Sequence, residues 1–164
     1  MILSLLIASP YAMADFEFKQ PETDEVALTV GTWLPWGGIR GVIDQYRMWG
    51  LSYYHPSSIW NLEYQFLNAR GLGVTFYSLS AGIRVDIEIE KTLELFLLGG
   101  LDYHYYQRAP YLGREFSYVN SGGIHLGFGG FYAIAERFKL RFELKFLNGP
   151  GKSIYVGVGP AFLF

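Results

Sequence analysis

Between Phe138 and Phe146 the chain alternates without a break. Phe138, Leu140, Phe142, Leu144 and Phe146 take every second place, and Lys139, Arg141, Glu143 and Lys145 take the places between. Successive side chains of an extended strand point to opposite faces, whereas a helix would scatter both sets around its circumference. The same period of two recurs upstream. Val26, Leu28 and Val30 share a face of segment 25–33, and Trp49, Leu51 and Tyr53 share a face of 48–54. In 59–67, Trp60, Leu62, Tyr64 and Phe66 oppose Asn61, Glu63 and Gln65. In 72–88, Leu79, Ala81, Ile83, Val85 and Ile87 oppose Ser78, Ser80, Gly82, Arg84 and Asp86. Leu93, Leu95, Leu97, Leu101, Tyr103 and Tyr105 oppose Glu94, Gly100, Asp102 and His104 in 93–106. Ile124, Leu126 and Phe128 oppose Gly123, His125, Gly127 and Gly129 in 118–132. The last segment sets Ile154, Val156, Val158, Pro160, Phe162 and Phe164 against Tyr155, Gly157, Gly159 and Ala161. Gly, Pro, Asn and Ser residues predict turns at 55–58, 68–71 and 148–151, and short charged breaks in the alternation place two more at 89–91 and 135–137. Longer loops are predicted at 35–46 and 107–116. The reading is all-β, with eight antiparallel strands and no long amphipathic helix.

Which face meets which solvent decides the fold. A soluble sandwich turns its apolar face inward, and a transmembrane barrel inverts this, with an apolar band toward lipid and a polar interior. Small residues stand opposite the apolar face in the last segment, which suits a narrow lumen with little room. Most segments reach the roughly 9–11 residues of a tilted membrane strand, and no run reaches the ~18 apolar residues of a membrane helix. Aromatics collect near segment ends, Phe66, Tyr77, Tyr103 and Tyr105 at one side and Tyr132, Phe138, Phe162 and Phe164 at the other, as interfacial girdles do. An eight-stranded antiparallel up-and-down transmembrane β-barrel is therefore expected, with both termini on the periplasmic side. The end of the chain resembles the C-terminal assembly signal of bacterial outer-membrane barrels in Gly159, Phe162 and Phe164. It departs from that signal at Gly157, where a polar residue is usual. Over 24–164 the chain resembles the small outer-membrane barrels of the OmpA-domain, OmpX and OmpW kind. The resemblance implies the bacterial outer membrane as location and leaves anchor, adhesin, narrow channel or lipid A-modifying enzyme as roles.

Composition narrows the classes. The 164 residues include no cysteine, which removes disulfide scaffolds and thiolate metal sites. A net charge of −2 offers no basic field for nucleic acid. Aromatics at 18% and 20 glycines suit many strands and two girdles. Residues 1–14 read as a targeting segment. The apolar run Ile2 to Ala8 is followed by Ala12-Met13-Ala14, a small-x-small cleavage pattern, and the absent positive start places the translation start further upstream as an expectation. Residues 15–23 read as a polar periplasmic lead-in, and 24–164 as the barrel.

The inward positions carry Glu63, Arg84, Asp86, Glu94, Asp102, His104, His125, Lys139, Arg141, Glu143 and Lys145. Confined charges are costly unless paired, so these residues are expected to form a salt-bridge network that fills the lumen. The alternatives are a polar path for small ions and catalysis. For catalysis, His104 and His125 with Asp102 would need Ser80 or Ser121 within hydrogen-bond reach. Lipid A deacylases of the outer membrane carry a His-x-Ser pair on one strand, and here His125 is followed by Leu126-Gly127. The few histidines make no metal site, Gly127-Phe128-Gly129-Gly130 lacks the lysine and helix of a phosphate loop, and no cofactor is implied. In the loops, Trp36, Arg40, Arg108, Tyr111 and Arg114 pair cations with aromatics and suit anionic lipopolysaccharide or a protein partner. Expected partners are outer-membrane lipid and lipopolysaccharide, the barrel-assembly machinery during insertion and an unidentified protein, with no nucleic acid.

Overall fold

The computed structural model describes residues 17–19, 23–36, 45–57, 60–109, 117–149 and 151–164, with only the backbone of 17–19 and 117. The targeting-segment reading of 1–14 lies outside these residues. The polar lead-in contains a short strand, β1 (Glu17–Lys19). The chain then runs through β2 (Glu25–Trp36), β3 (Tyr46–His55), β4 (Leu62–Gly71), β5 (Val74–Glu90), β6 (Leu93–Arg108), β7 (Ser117–Ala135), β8 (Phe138–Asn148) and β9 (Lys152–Leu163). From β2 to β9 each strand pairs antiparallel with the next, and β9 returns to β2, from Val26 against Phe162 to Trp36 against Lys152. The sheet is thus a closed eight-stranded barrel. β1 pairs with β5 at Glu17–Glu88 through Lys19–Asp86, on the stretch of β5 that runs past its pairing with β4, which ends at Leu62–Ile83.

The alternation read from sequence becomes an inside-out protein. Inward positions are buried charges, Glu63, Arg84 and Arg141 among them, while outward positions are exposed aliphatics such as Leu101 (68%) and Leu126 (67%). In water that exposed apolar belt would be unfavourable at about 25 cal/mol per Å², and in hydrocarbon it is at home. Small residues let the narrow wall close. A Cβ at Gly129 would run into the Phe142 carbonyl oxygen and the Phe96 ring, and one at Gly157 would meet the Tyr155 ring that lies over it.

Several strands run past the boundaries read from sequence, β5 to Glu90 and β6 to Arg108 among them. Asn68 to Gly71 continue β4 instead of turning, and the reversal is the two-residue turn Leu72-Gly73, with φ of 45° and 77°. Positive φ at both central positions matches the right-handed twist of a hairpin, so the twist holds even Leu72 in a conformation that favours glycine. Pro35 and Trp36 extend β2, and Tyr46 begins β3. Polar and Pro-containing stretches read as loops, but here they are the strand ends that pass out of the apolar belt. The barrel is fastened at its terminal end: the Phe164 amide donates to the Asp24 carbonyl at 3.1 Å, and the Leu163 amide donates to the Arg137 carbonyl at 3.0 Å. The Tyr53 hydroxyl donates to the Asp24 carboxylate at 3.0 Å, and His55 Nδ1 lies 2.8 Å from it. That His55 contact holds the Asp24 carboxyl below the usual carboxylate range.

Candidate functional site

The lumen is built in layers. Inward places on β4, β5 and β8 bring Glu63, Arg84 and Arg141 to its middle. Arg141 forks onto Glu63 with Nη1–Oε2 at 2.9 Å and Nη2–Oε1 at 2.6 Å, and its Nε donates to Glu143 at 2.7 Å. Arg84 donates to the same Glu63 at 2.9 Å, to Glu25 at 3.0 and 3.3 Å, and to Asp86 at 3.2 Å. Aromatic faces cover the guanidiniums: Arg84 lies 3.6 Å from the Tyr54 ring centre and Arg141 lies 4.7 Å from that of Phe96. Planar cations that are weakly hydrated tolerate this setting, with carboxylates in the plane and π-faces above. The network continues toward the loop end, where Lys145 donates to Gln65 at 2.7 Å and to Ser80 at 3.1 Å, and Gln65 donates to Glu143 at 2.7 Å. Toward the termini, Lys139 donates to Glu94 at 2.6 Å.

The lumen is not polar throughout, as the sequence reading expected. At the loop end Trp33 stacks on Phe76 at 4.4 Å, with Tyr46, Met48, Leu67, Tyr106 and Tyr155 packed around them. At the terminal end Phe96 and Phe131 meet at 5.1 Å beside Ala27, Leu98 and Ala161. An eight-stranded barrel has room for little beyond its own side chains, and here an aromatic layer closes it on the loop side of the charges, while Phe96 and Phe131 lie among them against Arg84, Arg141 and Lys139. The sequence hid this because large apolar or aromatic side chains stand at adjacent positions near the loop end, Trp33 and Leu34 on β2, Phe76 and Tyr77 on β5, Tyr105 and Tyr106 on β6, which blurs the alternation.

Every inward residue named from sequence lies in the lumen. Glu25 was missed, although it begins the inward series with Ala27 and Thr29. Asp102 Oδ1 lies 2.9 Å from His125 Nδ1, and His104 Nε2 is 3.6 Å from Asp102. This is the acid–base half of a triad, but among the described residues no serine hydroxyl hydrogen-bonds either histidine. The pair also sits beneath the aromatic layer. No group of three or more metal-ligating side chains is found among the described residues. Of the loop candidates, Trp36 is exposed at the end of β2 and Arg108 closes β6, while Arg40, Tyr111 and Arg114 lie outside the described residues. The terminal signal residues Gly159 and Phe162 lie on β9, with Phe162 against Phe138 at 5.0 Å.

Neither a protein-family model nor a curated protein matches the sequence. Solved structures do match. The N-terminal β-barrel domain of Pseudomonas aeruginosa OprF superposes with a TM-score of 0.68 at 14% identity, over 90% of this chain and 100% of that one. The chain has the fold of the small outer-membrane β-barrels. Ail, the attachment invasion locus protein of Yersinia pestis, gives 0.62 at 13% identity over 87% of this chain and 97% of its own. A de novo designed transmembrane β-barrel gives 0.63 at 16% identity over 90% and 100%. Because a designed chain scores beside natural ones, the outer-membrane-type likeness reports architecture and carries no particular activity.

Proposed function

We propose that this protein is a bacterial outer-membrane barrel whose lumen is a structural plug and whose work is done at its surface and loop end. The observation that carries the reading is the double closure of the lumen, by the Trp33–Phe76 stack and by the Arg84–Glu63–Arg141 network beneath it. Both termini are periplasmic in this reading, and the segments between β2 and β3 and between β6 and β7 face outward from the cell. Trp36, Arg40, Arg108, Tyr111 and Arg114 then meet lipopolysaccharide or a protein partner, and Gly159, Phe162 and Phe164 address the assembly machinery. Ail is named for attachment and invasion, and a surface-contact role here is in keeping with that. Single-channel recording of the refolded protein in a planar bilayer tests the plug. A quiet bilayer, with compaction confirmed by a heat-dependent gel shift, is the expected result. Discrete reproducible openings would overturn it in favour of a small-solute channel.

A further inference from the structure

The outer wall of β3 and β4 carries two arginines that the lumen does not use. Arg47 is paired across the sheet with Thr32 of β2. The β3–β4 register, with Met48 against Ala69, brings Arg70 opposite Arg47 one step further toward the loops. Met48 and Ala69 point into the lumen and are buried, so their neighbours Arg47 and Arg70 point outward, and both are exposed. Among the described residues no carboxylate pairs with either guanidinium. Like charges directly opposite on one face of a sheet repel. An anion between them converts that repulsion into charge-assisted hydrogen bonds.

The surroundings say what kind of anion fits. A surface groove of about 610 Å³ runs between the two arginines, with Thr32, Trp49 and Asn68 on its walls. Below it an aromatic ladder crosses four strands, Trp49 to Phe66 at 5.3 Å, Phe66 to Tyr77 at 5.9 Å and Tyr77 to Tyr105 at 6.0 Å. Beside the ladder the wall is aliphatic: Val30 is paired with Trp49, and Leu51 and Leu79 flank Phe66, all three exposed. Along β3 the successive outward places are Arg47, Trp49 and Leu51, so cation, interfacial aromatic and aliphatic follow one another in the order of a lipid's phosphate, glycerol or sugar region and acyl chains. We infer that Arg47 and Arg70 form a clamp for the phosphate headgroup of a membrane lipid, with the acyl chains lying along Val30, Leu51 and Leu79. The inference rests on the membrane-barrel reading and adds to it a defined lipid site.

The test is native mass spectrometry of the full refolded chain released from micelles containing phosphatidylglycerol or phosphatidylcholine. The native protein is expected to retain phosphatidylglycerol in preference to phosphatidylcholine, and R47Q/R70Q to retain about tenfold less of it. Equal retention by the two proteins would overturn the clamp. Displacement of phosphatidylglycerol by an equal concentration of inorganic phosphate would overturn the lipid as its source. Should the double variant fail to fold, R47Q and R70Q singly carry the test, each retaining less lipid than the native chain. Insertion of both proteins into vesicles, read by the heat-dependent gel shift, separates the two readings. Insertion with unchanged lipid retention sinks the clamp alone, and failure of the native chain to insert sinks the membrane reading and the clamp together.

Discussion

Glu63 is the residue on which the lumen turns, because both buried arginines converge on it. Removing its charge takes one carboxylate from each guanidinium, while Arg84 keeps Glu25 and Asp86 and Arg141 keeps Glu143. Loss of a buried charge-assisted partner of this kind costs about 1–3 kcal/mol. Glu63→Gln is therefore expected to lower the urea midpoint of the vesicle-inserted barrel by that equivalent, whereas Glu90→Gln, near an exposed strand end, is expected to leave it unchanged. Asp24 offers a second residue-level prediction. Its folded carboxyl is held below the ordinary range by His55, so its contribution is present above the unfolded value and is lost as pH falls through the folded one. The Phe164 amide, bonded to the Asp24 carbonyl, is expected to lose hydrogen-exchange protection as pH drops through that window once intrinsic exchange is divided out. Asp24→Asn is expected to remove the dependence. Much of this chemistry was legible, since an inward charge in a narrow barrel must find a partner. Which partner it finds was not, because the pairing of Glu63 with Arg141 depends on barrel closure across strands far apart in sequence. Arg70 stayed hidden for another reason: a polar residue before a glycine reads as a turn.

At the scale of the strand, the sign of the alternation matters more than its presence. β8 presents Phe142 to the outside at mid-height, and Arg at a lipid-facing midplane costs about 2–4 kcal/mol. Phe142→Arg is expected to abolish the heat-dependent gel shift in vesicles. Folding of that variant to the native compact form would overturn the assignment of faces. Strand identity and facing could be read from sequence wherever one face was charged, as in β8 and most of β5. They could not be read where both faces were apolar, as around Trp33 and Phe76, so the aromatic layer emerged only from the closed structure. Strand ends were misjudged for a related reason. The rim of such a barrel is wet, and its strands there carry the residues that loops carry elsewhere.

For the molecule as a whole, two closures stand in series. Trp33→Ala is expected to lower stability by about 3–5 kcal/mol through the cavity it leaves, and yet to remain silent in a planar bilayer, because the arginine layer beneath still fills the bore. Openings in that single variant would mean that the charged layer is permeable and that the aromatic layer alone is the seal. The β2–β9 seam has a consequence of a different kind. Every other barrel pairing is a local hairpin, but this one joins residue 25 to residue 163. Local pairings form quickly, and those between distant parts of a chain form slowly. Until β9 has been synthesised and delivered, the half-made sheet has two bare edges, β2 and whichever strand is last, each open to pairing with another chain. Closure is therefore a late, single event, and until it happens the two open edges leave the protein in a race between that event and aggregation.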